Sequence, residues 1–75
     1  MYKIKDSVDL KELEERHFDD LGICYRALEI SGTQFFINKS TREIKRLHPY
    51  SFREEPTNDE IEMLDIKDLV EKVGE

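Results

Sequence analysis

The reactive side chains of this 75-residue chain begin with a single cysteine, Cys24. A cysteine nucleophile needs a histidine as its base and a third group that orients the histidine. The chain has two histidines, His17 and His48, but Cys24 falls on the predicted core face of a strand, where a thiol is usually inert. We therefore expect Cys24 to be a packing residue.

A second candidate for chemistry is the cluster of His17, Asp19 and Asp20, whose side chains can bind metal ions. A zinc site also needs a fourth ligand and a defined geometry, which the sequence does not supply. A histidine near a helix C-terminus is better explained by its favourable interaction with the helix dipole. The carboxylates offer no pair in contrasting environments, as acid–base catalysis requires. The sequence predicts no enzyme, no metal and no cofactor.

Cations and aromatic rings alternate within residues 42–53, which we call the basic segment. It carries four basic residues and one acidic residue, whereas residues 54–75 carry two basic and nine acidic residues, and the whole chain has a net charge of −6. Cations beside rings are typical of single-stranded nucleic-acid binding, but the overall charge disfavours polyanions. Two other interpretations stay open: the cations protect a strand edge, or they pair with the acidic residues 54–62. Those acidic residues could also imitate nucleic-acid phosphates.

The elements that must position these side chains begin with YKIK, whose alternation predicts a short strand. A helix over residues 10–17 follows, with Asp9 as its N-cap and Glu12 as the capping-box partner. Val8 and Leu13 are placed to form a hydrophobic staple. We expect His17 to share the buried face of this helix with the leucines.

A hairpin is predicted next, with a strand over residues 23–30 and a two-residue turn at Ser31–Gly32. A tight turn places Leu28 opposite Phe35 and Arg26 opposite Ile37. The predicted core face comprises Cys24, Leu28, Ile30, Phe35 and Ile37. The predicted outer face comprises Tyr25, Ala27, Glu29, Gln34 and Phe36. A third strand over residues 42–47 places Ile44 beside Ile37, and a polar loop occupies residues 49–58.

The last element repeats the pattern of the first helix, because LDIKDLVEK resembles VDLKELEER. Asp65 is the predicted N-cap, and Gly74 is placed to end the helix. The predicted apolar stripe comprises Ile66, Leu69, Val70 and Val73. Residues 60–63 fit either a strand or a helix. The sequence thus predicts a single α+β domain over residues 1–75, with an antiparallel sheet of three to five strands and two short helices packed on one face.

The compartment is predicted from what the sequence lacks. One cysteine cannot form an internal disulfide, which fits a reducing environment. The opening has no signal-peptide pattern, and no apolar run is long enough to span a membrane. We expect a soluble, cytoplasmic protein that does not bind membranes.

Three stretches, YKIKDSVDLKELEERHF, NKSTREIK and DLVEKV, are together similar to small accessory proteins of phages and prophages in Gram-positive bacteria. The chain departs from their pattern at His17-Phe18, where those proteins often have Gly-Phe. The resemblance implies a phage accessory protein located in the host cytoplasm. Such proteins often bind a host protein, and inhibitors of host defence are one class of them.

The sequence favours a non-catalytic protein-binding module, possible as a homodimer, with a bacterial protein as its partner. Aromatic and arginine side chains dominate interface energetics, which is the reason for choosing the anchors. The predicted partner-binding residues are Tyr25, Phe36, Arg42, Lys45, Arg46, Tyr50, Phe52 and Arg53. The alternative is a small nucleic-acid-binding module that uses the basic segment.

Overall fold

The structure is a computed structural model that describes residues 1–29 and 32–74. Strand β1 spans Tyr2–Ile4, and a 3₁₀ helix spans Leu10–Arg16. The prediction of Asp9 as N-cap is confirmed: its carboxylate accepts from the amide of Lys11 at 3.0 Å. The expectation that His17 is buried is wrong. It ends the helix in the left-handed region, with φ of 70°, and its side chain is exposed.

In the described residues, six strands form two antiparallel sheets. The four-stranded sheet has the order β2 (Asp19–Asp20), β3 (Cys24–Leu28), β4 (Gln34–Asn38) and β5 (Ile44–Leu47). The two-stranded sheet pairs β1 with β6 (Val70–Lys72). A bridge between Lys3 and Glu43 joins the two sheets. The prediction of one sheet is therefore wrong, because the chain ends meet in a sheet of their own.

The register between β3 and β4 differs from the predicted one by a single residue. Ala27 lies opposite Phe35 and Tyr25 lies opposite Ile37, because Glu29 pairs with Thr33 and three residues separate them instead of two. A shift of one residue turns every side chain of a strand to the other face. Thus Tyr25 and Ala27 are buried.

The predicted faces hold for β4 but not for β3. Phe35 and Ile37 are fully buried, as predicted, and Ile44 lies opposite Ile37, as predicted. Leu28 is 67% exposed and Cys24 is half-buried, so their assignment to the core is wrong. The predicted core position of Ile30 lies outside the described residues.

The prediction of two short helices packed on one face is wrong: among the described residues only the first helix reaches seven residues, and a shorter α-helix lies before the predicted position of the second. Helix α1 spans Asn58–Met63, which settles residues 60–63 as helix. Thr57 and Glu60 form a complete capping box that starts it. Asp65, the predicted N-cap, instead has a φ of 60° just after the helix. The predicted helix at the chain end is wrong, because the β-branched Val70 enters β6 opposite Ile4.

One core joins both sheets, the 3₁₀ helix and α1. The buried apolar side chains are Ile4, Leu13, Phe18, Tyr25, Ala27, Phe35, Ile37, Ile44, Ile61, Ile66, Leu69 and Val70. Burial of Ile66, Leu69 and Val70 agrees with the predicted apolar stripe, although a turn and a strand present them. The α+β class is confirmed. Within residues 1–29 and 32–74, no helix is long and apolar enough to cross a membrane.

Candidate functional site

Three of the four cations of the basic segment pair with acidic residues that follow it in the chain. Lys45 Nζ lies 3.0 Å from Glu55 Oε1, and Arg46 Nε lies 3.0 Å from Glu60 Oε2. Arg53 Nη1 lies 3.1 Å from Glu60 Oε1. Of the alternatives that the sequence left open, internal pairing with residues 54–62 is therefore confirmed. The hydrogen bond from Lys45 lowers the pKa of Glu55, and the same contact raises the pKa of Lys45.

Arg42 serves the scaffold. Its Nη1 donates to the carbonyl oxygens of Lys5 and Val8, each at 2.7 Å. Its backbone carbonyl accepts from the amide of Ile4 at 2.9 Å. These bonds tie the segment between β1 and the 3₁₀ helix to the start of β5. A guanidinium that satisfies two backbone carbonyls contributes to stability and is committed inside the molecule.

Glu60 connects helix α1 to two arginines of the basic segment, and the sequence did not predict this role. One oxygen of its carboxylate accepts from the Thr57 amide at 2.9 Å and from Arg53, and the other accepts from Arg46. Burial alone would raise the pKa of Glu60. The hydrogen bonds from Thr57, Arg53 and Arg46 outweigh it, so the pKa lies below its usual value. The available signal was the Thr-x-x-Glu spacing of a capping box.

The loop after β5, residues 48–53, carries two aromatic rings and is called the aromatic loop. Tyr50 is 91% exposed and Phe52 is fully exposed. The backbone of this loop is nevertheless held in place. The Ser51 amide donates to the His48 carbonyl at 3.3 Å, and the Tyr50 amide donates to His48 Nδ1 at 3.1 Å. The loop therefore presents two water-exposed rings from a hydrogen-bonded turn.

Arg46, on β5, connects the aromatic loop to the sheet through hydrogen bonds. Its Nη1 donates to Ser51 Oγ and to the Arg53 carbonyl, both at 3.3 Å. Its amide donates to the Glu54 carbonyl at 2.7 Å. Leu47 and Phe52 line one cavity of about 330 Å³ beside these contacts. The loop and the end of β5 thus form one surface with apolar walls.

The outer face of the four-stranded sheet is a second open surface. Phe36 is half-buried there and stands between Arg26 on β3 and Lys45 on β5, as the register places them. Phe36 and Cys24 line a shallow cavity of about 410 Å³. The ionised residues of this face are Asp19, Arg26, Glu43 and Lys45, two of each sign. The charges that the sheet itself contributes to this face therefore sum to zero, whereas the whole chain carries −6.

Tyr25, one of the predicted partner-binding residues, lies in the core. It is 2% exposed, and its hydroxyl donates to Glu14 Oε2 at 3.0 Å. Lys39 Nζ lies 4.9 Å from the centre of its ring. Burial, followed by the contact with Glu14, raises the pKa of Tyr25 to about 12. The expectation that this ring lies on the outer face is wrong, for the reason given by the register.

The other candidates for chemistry stay apart. Asp20 accepts from Lys39 at 2.6 Å and from the Gly22 amide at 2.8 Å, and these contacts lower its pKa. In the part of the chain that the structure describes, no three His, Cys, Asp or Glu side chains form a group that could hold a metal ion. The predicted anchors thus divide. Tyr50 and Phe52 are open, and Phe36 is partly open.

No family model, curated protein or solved structure matches this chain. Two surfaces combine accessibility with side chains that bind proteins well: the aromatic loop and the outer face of the four-stranded sheet.

Proposed function

We propose that this chain is a non-catalytic protein-binding module whose principal contact surface is the aromatic loop. The observation that carries the proposal is the full exposure of Phe52, with Tyr50 at 91%, on a backbone that is already held by hydrogen bonds. Aromatic side chains are the commonest anchors of protein interfaces. Rings on a fixed turn lose little conformational entropy when they bind, so more of the contact energy becomes affinity.

The partner is proposed to be a protein with an apolar pocket that accepts an aromatic ring. Phosphate recognition would require unpaired cations, because nucleic-acid affinity comes largely from neutralising phosphates. Here Lys45, Arg46 and Arg53 already face carboxylates, and Arg42 is bonded to carbonyl groups. The alternative partner is single-stranded nucleic acid whose bases stack on the two rings. The experiments below distinguish it from a protein partner.

The remaining predicted anchors take supporting roles in this proposal. Phe36, with Lys45 beside it, forms a second contact area on the outer face. Arg42, Arg46 and Arg53 shape the scaffold that carries the rings. Tyr25 contributes through the core alone.

The biological setting is proposed from the resemblance to accessory proteins of phages and prophages of Gram-positive bacteria. We propose a phage-encoded modulator or inhibitor of a bacterial host protein, such as a defence protein, that acts in the host cytoplasm. The support is the likeness of the opening segment, the TREI element and the final LVEKV.

The test is a comparative capture from a Gram-positive bacterial lysate, quantified by mass spectrometry. The bait is the full chain, either unchanged or with Tyr50→Ser and Phe52→Ser together. The matched control is Leu21→Ser with Met63→Ser, because both residues are exposed apolar side chains outside the loop and outside the cavity beside Phe36, at 46% and 56%.

The proposal predicts a protein that is enriched by the unchanged chain and by the control, and that falls at least about tenfold with the loop variant, as loss of a binding anchor implies. Equal enrichment by all three baits would exclude the aromatic loop as the contact surface. Nuclease-sensitive capture would favour the nucleic-acid alternative instead.

A further inference from the structure

One carboxylate on helix α1 contacts the last residue of the aromatic loop and a residue of β5 shortly before the loop. Arg46 lies just before the loop and Arg53 is its last residue, and Glu60 accepts from both, at 3.0 and 3.1 Å. Arg46 continues into the loop through Ser51 Oγ and the Arg53 carbonyl, both at 3.3 Å. The side chains of Arg46, Arg53 and Glu60 thus form two ion pairs that share one carboxylate next to the loop.

We infer that Glu60 is the positioning residue of the aromatic loop, which it holds in its binding conformation before a partner arrives. This inference rests on the proposed function for what the loop does. The claim that Glu60 holds the loop rests on the contacts alone and can be measured without a partner.

Burial makes these contacts effective. The side chain of Arg46 is 9% exposed and that of Glu60 is 16% exposed, so their attraction is screened less than that of a surface pair. Loss of one partner of a shielded pair leaves the other charge uncompensated. If Glu60 lost its charge, the guanidinium of Arg46 would have to move toward water. Its bonds to Ser51 and to the Arg53 carbonyl would then be lost as well.

A loop that is held in advance also allows two exposed rings to bind without a large entropic cost. A loop that is ordered in advance raises the fraction of molecules ready to bind, and apparent affinity scales with that fraction. Glu60 touches no partner in this scheme. It acts through Arg46 and Arg53.

Glu60 also caps helix α1, so the test must separate the two roles. Glutamine is an accepted partner in a capping box, so Glu60→Gln retains a group that can accept from the Thr57 amide while it removes the charge. Thr57→Ala does the opposite: it removes the capping hydroxyl and leaves the pairs with Arg46 and Arg53. Glu62→Gln removes a carboxylate of the same helix that contacts Lys67 instead.

The measurement is amide hydrogen exchange in the full-length protein, resolved by residue. The reporters are the amides of Arg46 and Ser51, which donate to Glu54 and His48. We expect Glu60→Gln to speed their exchange at least about tenfold, as local opening does. Exchange in the buried parts of β3 and β4 should keep its wild-type rate. Thr57→Ala and Glu62→Gln should leave the two reporters at the wild-type rate.

Arg53→Gln provides a second route to the same answer. Arg53 is more exposed than Arg46, at 43% of its side chain, so its loss should leave the fold intact. This variant should also speed exchange of the Ser51 amide. Unchanged reporter exchange in both Glu60→Gln and Arg53→Gln would overturn the inference. So would equal acceleration of loop and core amides, which would make Glu60 a residue of general stability.

The two proposals fail in different ways. If the aromatic loop is not the contact surface, Tyr50→Ser with Phe52→Ser leaves capture unchanged, while Glu60→Gln still loosens the loop. If Glu60 does not position the loop, the ring substitutions abolish capture, while Glu60→Gln changes neither exchange nor capture. With both correct, Glu60→Gln lowers capture although both rings are present.

Discussion

Arg46 on β5 and Glu60 on α1 form an ion pair across 3.0 Å, and both side chains are largely shielded from water. This pair shows that cations of the basic segment have partners within the chain. The cations of this segment appear in the sequence as a patch beside two aromatic residues. In the fold, Lys45, Arg46 and Arg53 pair with acidic residues that follow, and Arg42 donates to backbone carbonyl groups. The two rings remain exposed, and they are therefore the groups that we propose to contact a partner.

The acid response of stability should report this pair. The pKa of Glu60 is lower in the folded chain than its usual value, which is about 4.3 in unfolded chains. The folded state thus binds this proton less readily. Its stabilisation is present above the unfolded pKa and is lost as the pH falls through the folded pKa. Urea unfolding should show that the free energy of unfolding falls more between pH 7 and pH 3 in the wild type than in Glu60→Gln.

The control for that experiment is Glu62→Gln, whose carboxylate lies on the same helix and contacts Lys67. It should retain the larger acid sensitivity of the wild type. Identical acid responses in the wild type and in Glu60→Gln would mean that the pair with Arg46 adds no stability.

The register of the hairpin predicts a large loss of stability at one position and almost none at its neighbour for the same substitution. Ala27 is buried, with 9% exposure, and Leu28 is 67% exposed. Ala27→Asp should lower the free energy of unfolding by about 2–4 kcal/mol, because it buries a polar group without a partner. Leu28→Asp should change it by about 0.5 kcal/mol or less. Urea unfolding measures both, and the reverse ranking would restore the register predicted from the sequence.

This protein should not bind nucleic acid, because the cations of the basic segment already have partners within the chain. In a gel-shift assay at about 50 mM salt, where phosphate contacts are strongest, the wild type should not retard a single-stranded oligonucleotide. A shift that weakens with salt, and that disappears when Arg42, Lys45 and Arg46 are substituted, would show that these side chains leave their internal partners.

Local patterns predicted some elements well, and non-local contacts account for the failures. The Asp9 cap, the opening strand and the pairing of Ile44 with Ile37 follow from residue types within a few positions. The hairpin register depends on one extra residue between Glu29 and Thr33. That single residue sends Tyr25 into the core.

The end of the chain shows how a good helix start can be overruled. The Asp65 region has the residues of an N-cap and a staple, but the capping box of Thr57 and Glu60 starts a helix first. Asp65 then takes a left-handed conformation. Val70 pairs opposite Ile4, sixty-six positions away, in a two-stranded sheet. A short terminal helix on its own would be only marginally stable in water.

The candidate site was predictable in its rings and unpredictable in its scaffold. The polar, proline-containing loop with Tyr50 and Phe52 stands out in the sequence, and both rings are exposed. The role of Arg42 depends on carbonyl groups of Lys5 and Val8, more than thirty positions earlier. No local pattern encodes such a contact, because it exists only after the chain has folded.

The most direct test of the proposed binding surface is site-specific photocrosslinking. A benzophenone-bearing phenylalanine at position 52 replaces one exposed ring with another, and the same group at Met63 is the control on an exposed apolar residue outside the loop. In a bacterial lysate, position 52 should crosslink to one protein and position 63 should not. Crosslinks to that protein from position 63 alone, or crosslinks from position 52 only to nucleic acid, would contradict the aromatic loop as a protein-binding surface.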